Sequence, residues 1–341
     1  MHDHDEFGAE LHDHDEFGED GGLSMLSEAV RVQRLEPPGP LDGRVRVVID
    51  TDAANQIDDQ FALAYAVLRR DRLDVEAVYA APFQRFVGTA KHGRDPADPS
   101  SAATPAQGMA QSHAEILRVL GALGAPKPAG GVRLGSDRWL PDPATPVPSP
   151  AAADLGTRAR GGRPGPLYVV TLGAPTNVAS ALLTAPDLAE LLVVVWLGGN
   201  GTWWAPGAEY NVYQDLYASR VLLDSGVPLV HVPCHQVTEK LMTTREEIEQ
   251  RVRGRGRIGD YLADLYAGFD RHHARMTPLW DIGPVAWLVE PAWCPSALVT
   301  SPVLHEDLTW GHDPTRHLIR EVRDVDADAV LTDFFDNLPQ P

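Results

Sequence analysis

Four carboxylates lie within ten residues near the start of the chain, at Asp50, Asp52, Asp58 and Asp59. Carboxylates this close repel one another, and a hard cation with oxygen ligands is the simplest way to offset that repulsion. The cluster follows an apolar run at 45–49 and precedes apolar residues at helical spacing. This order predicts a strand, an acidic turn and a helix. The turn would lie beyond the carboxyl end of the strand, where open α/β sheets bind their ligands.

Further along the chain, short apolar runs alternate with amphipathic stretches, which is typical of a parallel sheet with helices on both faces. Strands are predicted at 45–49, 75–81, 167–170, 191–197 and 229–232. Helices are predicted at 60–70, 108–123, after Pro175, and at 215–224, 242–280 and 326–338. The predicted fold class is therefore α/β, with an open, mostly parallel, Rossmann-like central sheet.

The charge of the chain is uneven. The net charge is −19, and residues 1–22 contribute −9 of it because they hold nine acidic and no basic side chains. An acidic body disfavours nucleic acids and anionic membranes as partners and suits a divalent cation. With only Cys234 and Cys294 and no run of 18 apolar residues, a reducing, cytoplasmic location without a membrane span is expected.

The first 43 residues differ from the remainder in composition. A segment rich in His and Asp at 2–8 recurs at 12–18, and it has no apolar face. We predict a disordered acidic tail and linker over 1–43, because such a composition buries too little apolar surface to fold. A single domain is predicted over 44–341, since no composition shift divides it.

Four motifs, in order along residues 45–290, resemble those of the inosine/uridine-preferring nucleoside hydrolase family, of which this chain would be a divergent member. The first is the acidic turn, where Asp-x-Asp after a strand is followed by two adjacent aspartates. The others are Val170 to Ala179, Leu197-Gly198-Gly199 followed by Glu209-Tyr210-Asn211, and Trp280-Asp281. The resemblance implies hydrolysis of the N-glycosidic bond of a ribonucleoside, a small-molecule substrate and a homo-oligomer.

The resemblance also implies a calcium site. Its ligands would be Asp52, Asp59, the main-chain carbonyl of Leu172 and Asp281. Calcium takes six to eight oxygen ligands, which leaves room for a water and two sugar hydroxyls. The cation would lower the pKa of that water, and Asp52 would accept its proton.

Substrate contacts follow from the same resemblance. Asp58 would hold the ribose 2′-hydroxyl, and Glu209 and Asn211 the remaining hydroxyls. Gln84 stands where the family commonly has an asparagine near the ribose. Asp50 would orient the acidic loop rather than touch the substrate.

The sequence departs from the family pattern at two places. The loop over 53–57 is two residues longer than usual, so the geometry of the metal site is open, and Asn55 could add a contact. Trp280 stands where inosine- and uridine-preferring members have histidine. Tryptophan cannot act as a general acid, although it could stack on a base.

The leaving-group acid would then come from elsewhere. The candidates are His272 and His273, on a predicted helix before Trp280, and less strongly His113, His231 and His235. Trp203 and Trp204 would form the second wall of a pocket for a purine-like or modified base.

Two other functions remain open from the sequence. Trp280 and the longer acidic loop are compatible with a catalytically weak or inactive binding protein of the same fold. A phosphatase of the haloacid dehalogenase type also begins with Asp-x-Asp after a strand, with Asp50 as covalent nucleophile. It would use Thr171 and a later lysine, for which only Lys240 is available.

Overall fold

The computed structural model of the chain describes residues 26–39, 43–85, 104–124, 127–204, 206–269 and 276–340. The strands are β1 Val45–Thr51, β2 Leu73–Ala80, β3 Val132–Leu134, β4 Leu167–Thr171, β5 Leu192–Leu197, β6 Leu229–Val232, β7 Met242–Thr244, β8 Met276–Pro278, β9 Ser296–Thr300, β10 Val303–Leu304, β11 Trp310–Gly311 and β12 Leu318–Val322. The α-helices are α1 Glu28–Arg34, α2 Asp58–Leu68, α3 Pro105–Leu123, α4 Pro150–Ala159, α5 Thr176–Thr184, α6 Tyr210–Gln214, α7 Leu216–Asp224, α8 Arg245–Arg251, α9 Gly256–Gly268, α10 Ile282–Val289 and α11 Ala327–Asn337.

An eight-stranded sheet forms the centre of the fold, in the order β3-β2-β1-β4-β5-β6-β12-β9. All neighbours pair in parallel except β12 and β9, which are antiparallel. Strands β1, β4, β5 and β6 are buried along their whole length, as expected where helices cover both faces of a parallel sheet. The predicted α/β fold class is confirmed.

Helix α2 fixes the acidic turn to the core. It begins at Asp58, and every residue from Asp58 to Val67 is buried. Its two N-terminal carboxylates are placed where the positive end of the helix dipole favours negative charge. Because the whole circumference of the helix is packed, the positions of Asp58 and Asp59 are set by the core.

Several elements differ from the sequence-based prediction. The helix predicted at 242–280 is two helices, α8 and α9, bordered by β7 and β8, which pair with each other as an antiparallel ribbon. Strand β3 and helix α4 were not predicted: β3 has only three residues and is not buried, and α4 begins at Pro150 within a proline-rich stretch. Short edge strands carry too little periodicity to be recognised.

The segment predicted as a linker contains helix α1. Ser27 caps it, and the Arg31 side chain is buried and donates from Nε to the carbonyl of Gly226 at 2.9 Å. Leu35, directly after the helix, is fully buried. These contacts attach residues 26–35 to the domain.

The histidine-rich repeat at 2–18 lies outside the described residues. No helix within the described ranges is both long and apolar enough to cross a lipid bilayer.

Candidate active site

A cavity of about 300 Å³ opens at the carboxyl ends of β1, β4, β5 and β6. Its lining contains five carboxylates: Asp52, Asp58, Asp59, Glu209 and Asp281. The lining that the structure describes includes no lysine or arginine. The sheet therefore concentrates negative charge where an open α/β fold binds its ligands.

Three of these carboxylates form the tightest group. Asp58, Asp59 and Asp281 each offer one oxygen, and these oxygens lie within 4.8 Å of one another. Burial and the surrounding negative charge raise the pKa values of Asp59 and Asp281 well above the usual range, and their side chains share a hydrogen bond. The Thr51 hydroxyl donates to Asp59 Oδ1. Buried carboxylates at this spacing match the ligand set of a hard divalent cation.

Asp52 lies in the same cavity, beside that group. Its Oδ2 accepts a hydrogen bond from Asn55 Nδ2 at 2.8 Å. Burial raises the pKa of Asp52 to about 7, and the negative charges of Asp58 and Glu209 act in the same direction. A carboxyl group that titrates near neutrality is suited to accepting a proton during catalysis.

The longer acidic loop is held in place by contacts from outside it. Ala54 has a φ of 81°, in the left-handed region, and the Arg85 guanidinium donates to the carbonyls of Ala54 and Asn55. Tyr210 donates its hydroxyl to Asn55 Oδ1 at 3.3 Å. The loop over 53–57 therefore forms a braced turn, and both Asp52 and Asp59 line one cavity.

Glu209 and Asn211 are oriented by the main chain. Glu209 Oε2 accepts hydrogen bonds from the N–H groups of Gly199 and Asn211, both at 3.0 Å. Asn211 Nδ2 donates to the carbonyls of Leu172, at 2.7 Å, and Leu197, at 2.9 Å. Both N–H groups of the Asn211 amide are engaged, so its Oδ1 is the atom suited to a ligand hydroxyl.

Asp50 lies beneath the cavity and does not line it. Its Oδ1 accepts from Asn177 Nδ2 at 2.8 Å, while Asn177 Oδ1 accepts from the N–H of Ser136 at 2.7 Å. Burial raises the pKa of Asp50 to about 7. The pair joins β1 to the start of α5, which places Asp50 where it can orient the acidic turn.

The aromatic wall of the cavity differs from the one expected. Trp280 lines the cavity, and so do Tyr210 and Tyr213, whose rings meet edge to face at 5.2 Å. Trp203 and Trp204 are not in the lining that the structure describes, and the Arg323 guanidinium covers the Trp203 ring at 4.5 Å. The tyrosines of α6 occupy the place predicted for the two tryptophans.

The remaining predicted contacts are Gln84 and the candidate leaving-group histidines. Gln84 is not among the described lining residues; its N–H donates to Gln214 Oε1 at 2.7 Å and its carbonyl accepts from the Tyr210 hydroxyl at 2.9 Å. His272 and His273 lie outside the described residues. His235, a minor candidate from the sequence, does line the cavity. Its position in the turn after β6 is the sequence signal that could have indicated a place in the site, because ligands bind beyond the carboxyl ends of the strands.

The buried carboxylates predict how stability depends on pH when no divalent cation is bound. Their folded-state pKa values are raised, to about 7 for Asp50 and Asp52, so the folded state binds protons more tightly than the unfolded state. That contribution is full below about pH 4 and is lost as the pH rises through about 7. We expect the unfolding free energy in chelator to fall between pH 5 and 8, by up to about 1.4 kcal/mol per pH unit for each group.

Denaturant titrations at several pH values, with chelator and with saturating calcium, test this expectation. A divalent cation that binds the ionised carboxylates of the folded state should remove the loss at high pH. The Asp50→Asn variant should show a shallower fall in chelator. A rise in stability between pH 5 and 8 in chelator would contradict the assignment of raised pKa values.

Comparison with known proteins gives a consistent result. The family model described as inosine-uridine preferring nucleoside hydrolase matches residues 47–332. The pyrimidine-specific ribonucleoside hydrolase RihA of Salmonella newport is 32% identical over 163 residues, which are 45% of this chain and 51% of that protein. An uncharacterised Schizosaccharomyces pombe protein is 31% identical over 144 residues, 39% of this chain and 45% of that protein. The chain thus aligns with about half the length of these curated relatives.

Solved structures share the fold. A plant nucleoside hydrolase superposes with a TM-score of 0.65 at 21% identity, covering 87% of this chain and 99% of that chain. A purine-preferring ribonucleoside hydrolase from Gardnerella vaginalis superposes with a TM-score of 0.61 at 20% identity, covering 86% and 98%. At these identities the superpositions establish the architecture.

Proposed function

Because this chain belongs to the inosine-uridine preferring nucleoside hydrolase family, we propose that it hydrolyses the N-glycosidic bond of a ribonucleoside, with calcium bound, to give the free base and ribose. The observation that supports this most strongly is the cavity in which five carboxylates, four of them buried, converge without a lysine or arginine among the described lining residues. A cation and a polyhydroxylated sugar are the ligands that such a lining matches.

The proposed calcium ligands are Asp52, Asp59, Asp281 and the carbonyl of Leu172. An oxygen of Asp58 lies within 4.8 Å of oxygens of Asp59 and Asp281. Leu172 already accepts one hydrogen bond from Asn211, and a carbonyl oxygen has a second lone pair for a cation. A bound calcium ion would supply a Lewis acid that favours the deprotonated form of a water.

Asp52 is the proposed general base. It accepts a proton from the attacking water as the water oxygen bonds to C1′ of the ribose. The bond between C1′ and the base nitrogen breaks, and its electron pair goes to that nitrogen. The ribose carries positive charge at C1′ in the transition state, and the carboxylates that line the cavity stabilise this charge.

The ribose would be held by hydroxyl contacts. Asp58 is proposed to accept from the 2′-hydroxyl, and Glu209 and Asn211 to bind the remaining hydroxyls through Oε1 and Oδ1. The hydrogen bonds to the main chain use the other polar atom of each side chain, Oε2 of Glu209 and Nδ2 of Asn211. Gln84 is assigned an indirect part, since its carbonyl holds the Tyr210 hydroxyl.

The base would lie against aromatic side chains. Trp280 and Tyr213 line the cavity, and aromatic faces bind bases by stacking, at about 1–3 kcal/mol for each base. This favours a purine-like or modified base with a large ring face. We also propose a homo-oligomer in the cytosol; the two buried free thiols, Cys234 and Cys294, fit a reducing compartment.

A panel of ribonucleosides and 2′-deoxyribonucleosides, incubated with the protein and calcium, tests the proposed reaction. We expect free ribose from at least one purine ribonucleoside. The matching deoxyribonucleoside should be hydrolysed about 10²-fold more slowly or worse, because Asp58 would lose its hydrogen-bond partner. Release of the sugar is measured by a reducing-sugar assay with chelator as the blank.

The Asp58→Ala variant is the control for this selectivity. In it, the ratio of the hydrolysis rates for the ribonucleoside and the matching deoxyribonucleoside should be smaller than in the unaltered protein. If the protein binds calcium and nucleosides but releases no base, it is a binding protein of the same fold. The phosphatase alternative has little support, since Lys240 forms an ion pair with Asp324 at 2.6 Å and is not in the described lining of the cavity.

A further inference from the structure

We infer that His235 donates the proton that the leaving base needs, an assignment that rests on the proposed hydrolysis. When the glycosidic bond breaks, its electron pair goes to the base nitrogen, and protonation of the base lowers the barrier to departure. Trp280 has no group acidic enough for this transfer. Among the described residues that line the cavity, His235 is the only histidine.

The main chain around His235 is fixed at the end of the sheet. His235 lies in a turn three residues after β6, and the N–H of Cys234, just before it, donates to the carbonyl of Gly199 at 2.9 Å. The Thr238 hydroxyl donates to the carbonyl of Pro233 at 3.1 Å. The turn therefore keeps His235 beside Glu209, whose carboxylate accepts a hydrogen bond from the N–H of Gly199.

A carboxylate orients the ring. His235 Nδ1 lies 3.3 Å from Glu239 Oε2, and Glu239 Oε1 accepts the N–H of Gln236 at 2.7 Å. The N–H of Gln236 thus orients the Glu239 carboxylate, and that carboxylate orients the His235 ring. A carboxylate on Nδ1 keeps a proton on that nitrogen and fixes the orientation of the ring. Nε2 is then the nitrogen that gives and regains a proton.

The exposure of His235 fits a group at the mouth of the cavity. Its side chain is 50% exposed, whereas the aspartates that line the cavity are buried. His235 also acts electrostatically on Glu209, which is proposed to hold a ribose hydroxyl. His235 thus lines the cavity beside a proposed sugar contact and is also open to solvent, with which it can exchange protons.

The other described histidine near the strand ends has a different role. His231 is fully buried in β6, with Nε2 at 2.7 Å from the carbonyl of Gly198 and Nδ1 at 3.5 Å from Glu321 Oε1. Glu321 also accepts from the N–H and hydroxyl of Thr202. His231 therefore stabilises the loop after β5, and it is not among the described residues that line the cavity.

The test compares two substrates that differ only in the leaving group. A purine ribonucleoside needs a proton on its base, whereas p-nitrophenyl riboside releases a weakly basic anion that departs without one. In His235→Ala, kcat for the ribonucleoside should fall by about 10²–10⁴-fold. The kcat for the nitrophenyl substrate should change by only a few fold. Glu239→Gln should show the same substrate contrast with a smaller fall.

The exposed His312→Ala is the matched control and should leave both rates unchanged. Calorimetric calcium binding that matches the unaltered protein verifies that His235→Ala keeps its site. Equal losses on both substrates would overturn the inference, because His235 would then act on the ribose or on the structure. An unchanged rate for the ribonucleoside would overturn it as well. If the unaltered protein cleaves neither substrate, the proposed function itself fails, and the assignment of His235 fails with it.

Discussion

Replacement of Asp52 by asparagine should lower kcat for ribonucleoside hydrolysis by about 10³-fold or more, within the range measured for general bases. The amide that replaces the carboxylate would keep the shape of the side chain and lose the ability to accept a proton from water. Asp52 is buried and lines the cavity, so a carboxylate on the protein surface cannot take its place. The rate is measured as free ribose released at saturating nucleoside and calcium.

This variant should also differ from His235→Ala in its substrate dependence. Activation of water is needed whatever group leaves, so Asp52→Asn should slow hydrolysis of p-nitrophenyl riboside as strongly as that of the nucleoside. Asp71→Asn is the matched control, because Asp71 is exposed shortly after the end of α2 and pairs with Arg69. Retention of more than a tenth of the activity in Asp52→Asn would show that another group takes the proton.

Removal of a carboxylate from the proposed metal site should weaken calcium binding by about 10²-fold or more in Asp59→Ala and in Asp281→Ala, since hard cations depend on anionic oxygen ligands. Both side chains lie in the group whose oxygens are within 4.8 Å of one another. Affinity is measured by calorimetry without nucleoside. In chelator, both variants should unfold at higher denaturant concentration at pH 8, because a source of mutual repulsion is gone.

Asp58→Ala separates the two roles that Asp58 could have. Asp58 is proposed to bind the ribose, yet its carboxylate belongs to the same close group. A fall in calcium affinity equal to that of Asp59→Ala would make Asp58 a metal ligand. A small fall combined with lost discrimination against deoxyribonucleosides would keep it as the ribose contact. If the calcium affinity were unchanged in Asp58→Ala, Asp59→Ala and Asp281→Ala, the proposed metal site would be contradicted.

The central sheet could be predicted because its strands carry a strong local signal. Strand β5, Leu192–Leu197, is apolar throughout and fully buried on both faces, and such runs are recognised without any knowledge of their partners. The ribbon of β7 and β8 lies in a segment that was predicted to be helical. Its strands are only three residues long and pair across more than thirty residues of sequence, so local periodicity does not encode them.

The sequence by itself determined the family and the place of the acidic cluster. Parallel strands end at the same edge of a sheet, so Asp52 after β1 was expected at the ligand-binding edge once the strands were identified. Leu172 and Glu209 were assigned to the site through the motifs of the family. Asp281 was recognised through its motif, and the structure brings it beside Asp59. These conclusions needed only strand positions, residue types and the resemblance of four motifs to the family.

Only the tertiary structure decided which other side chains face the cavity. Tyr213 lines the wall expected for Trp203, and His235 lines the cavity as well. Gln84 is not among the described lining residues, and its main-chain N–H and carbonyl bind Gln214 and Tyr210. The direction of a side chain in a turn depends on contacts with distant segments, such as the bond from Cys234 to Gly199. Such contacts leave no periodic trace in the sequence, because they arise only after the sheet has brought the segments together.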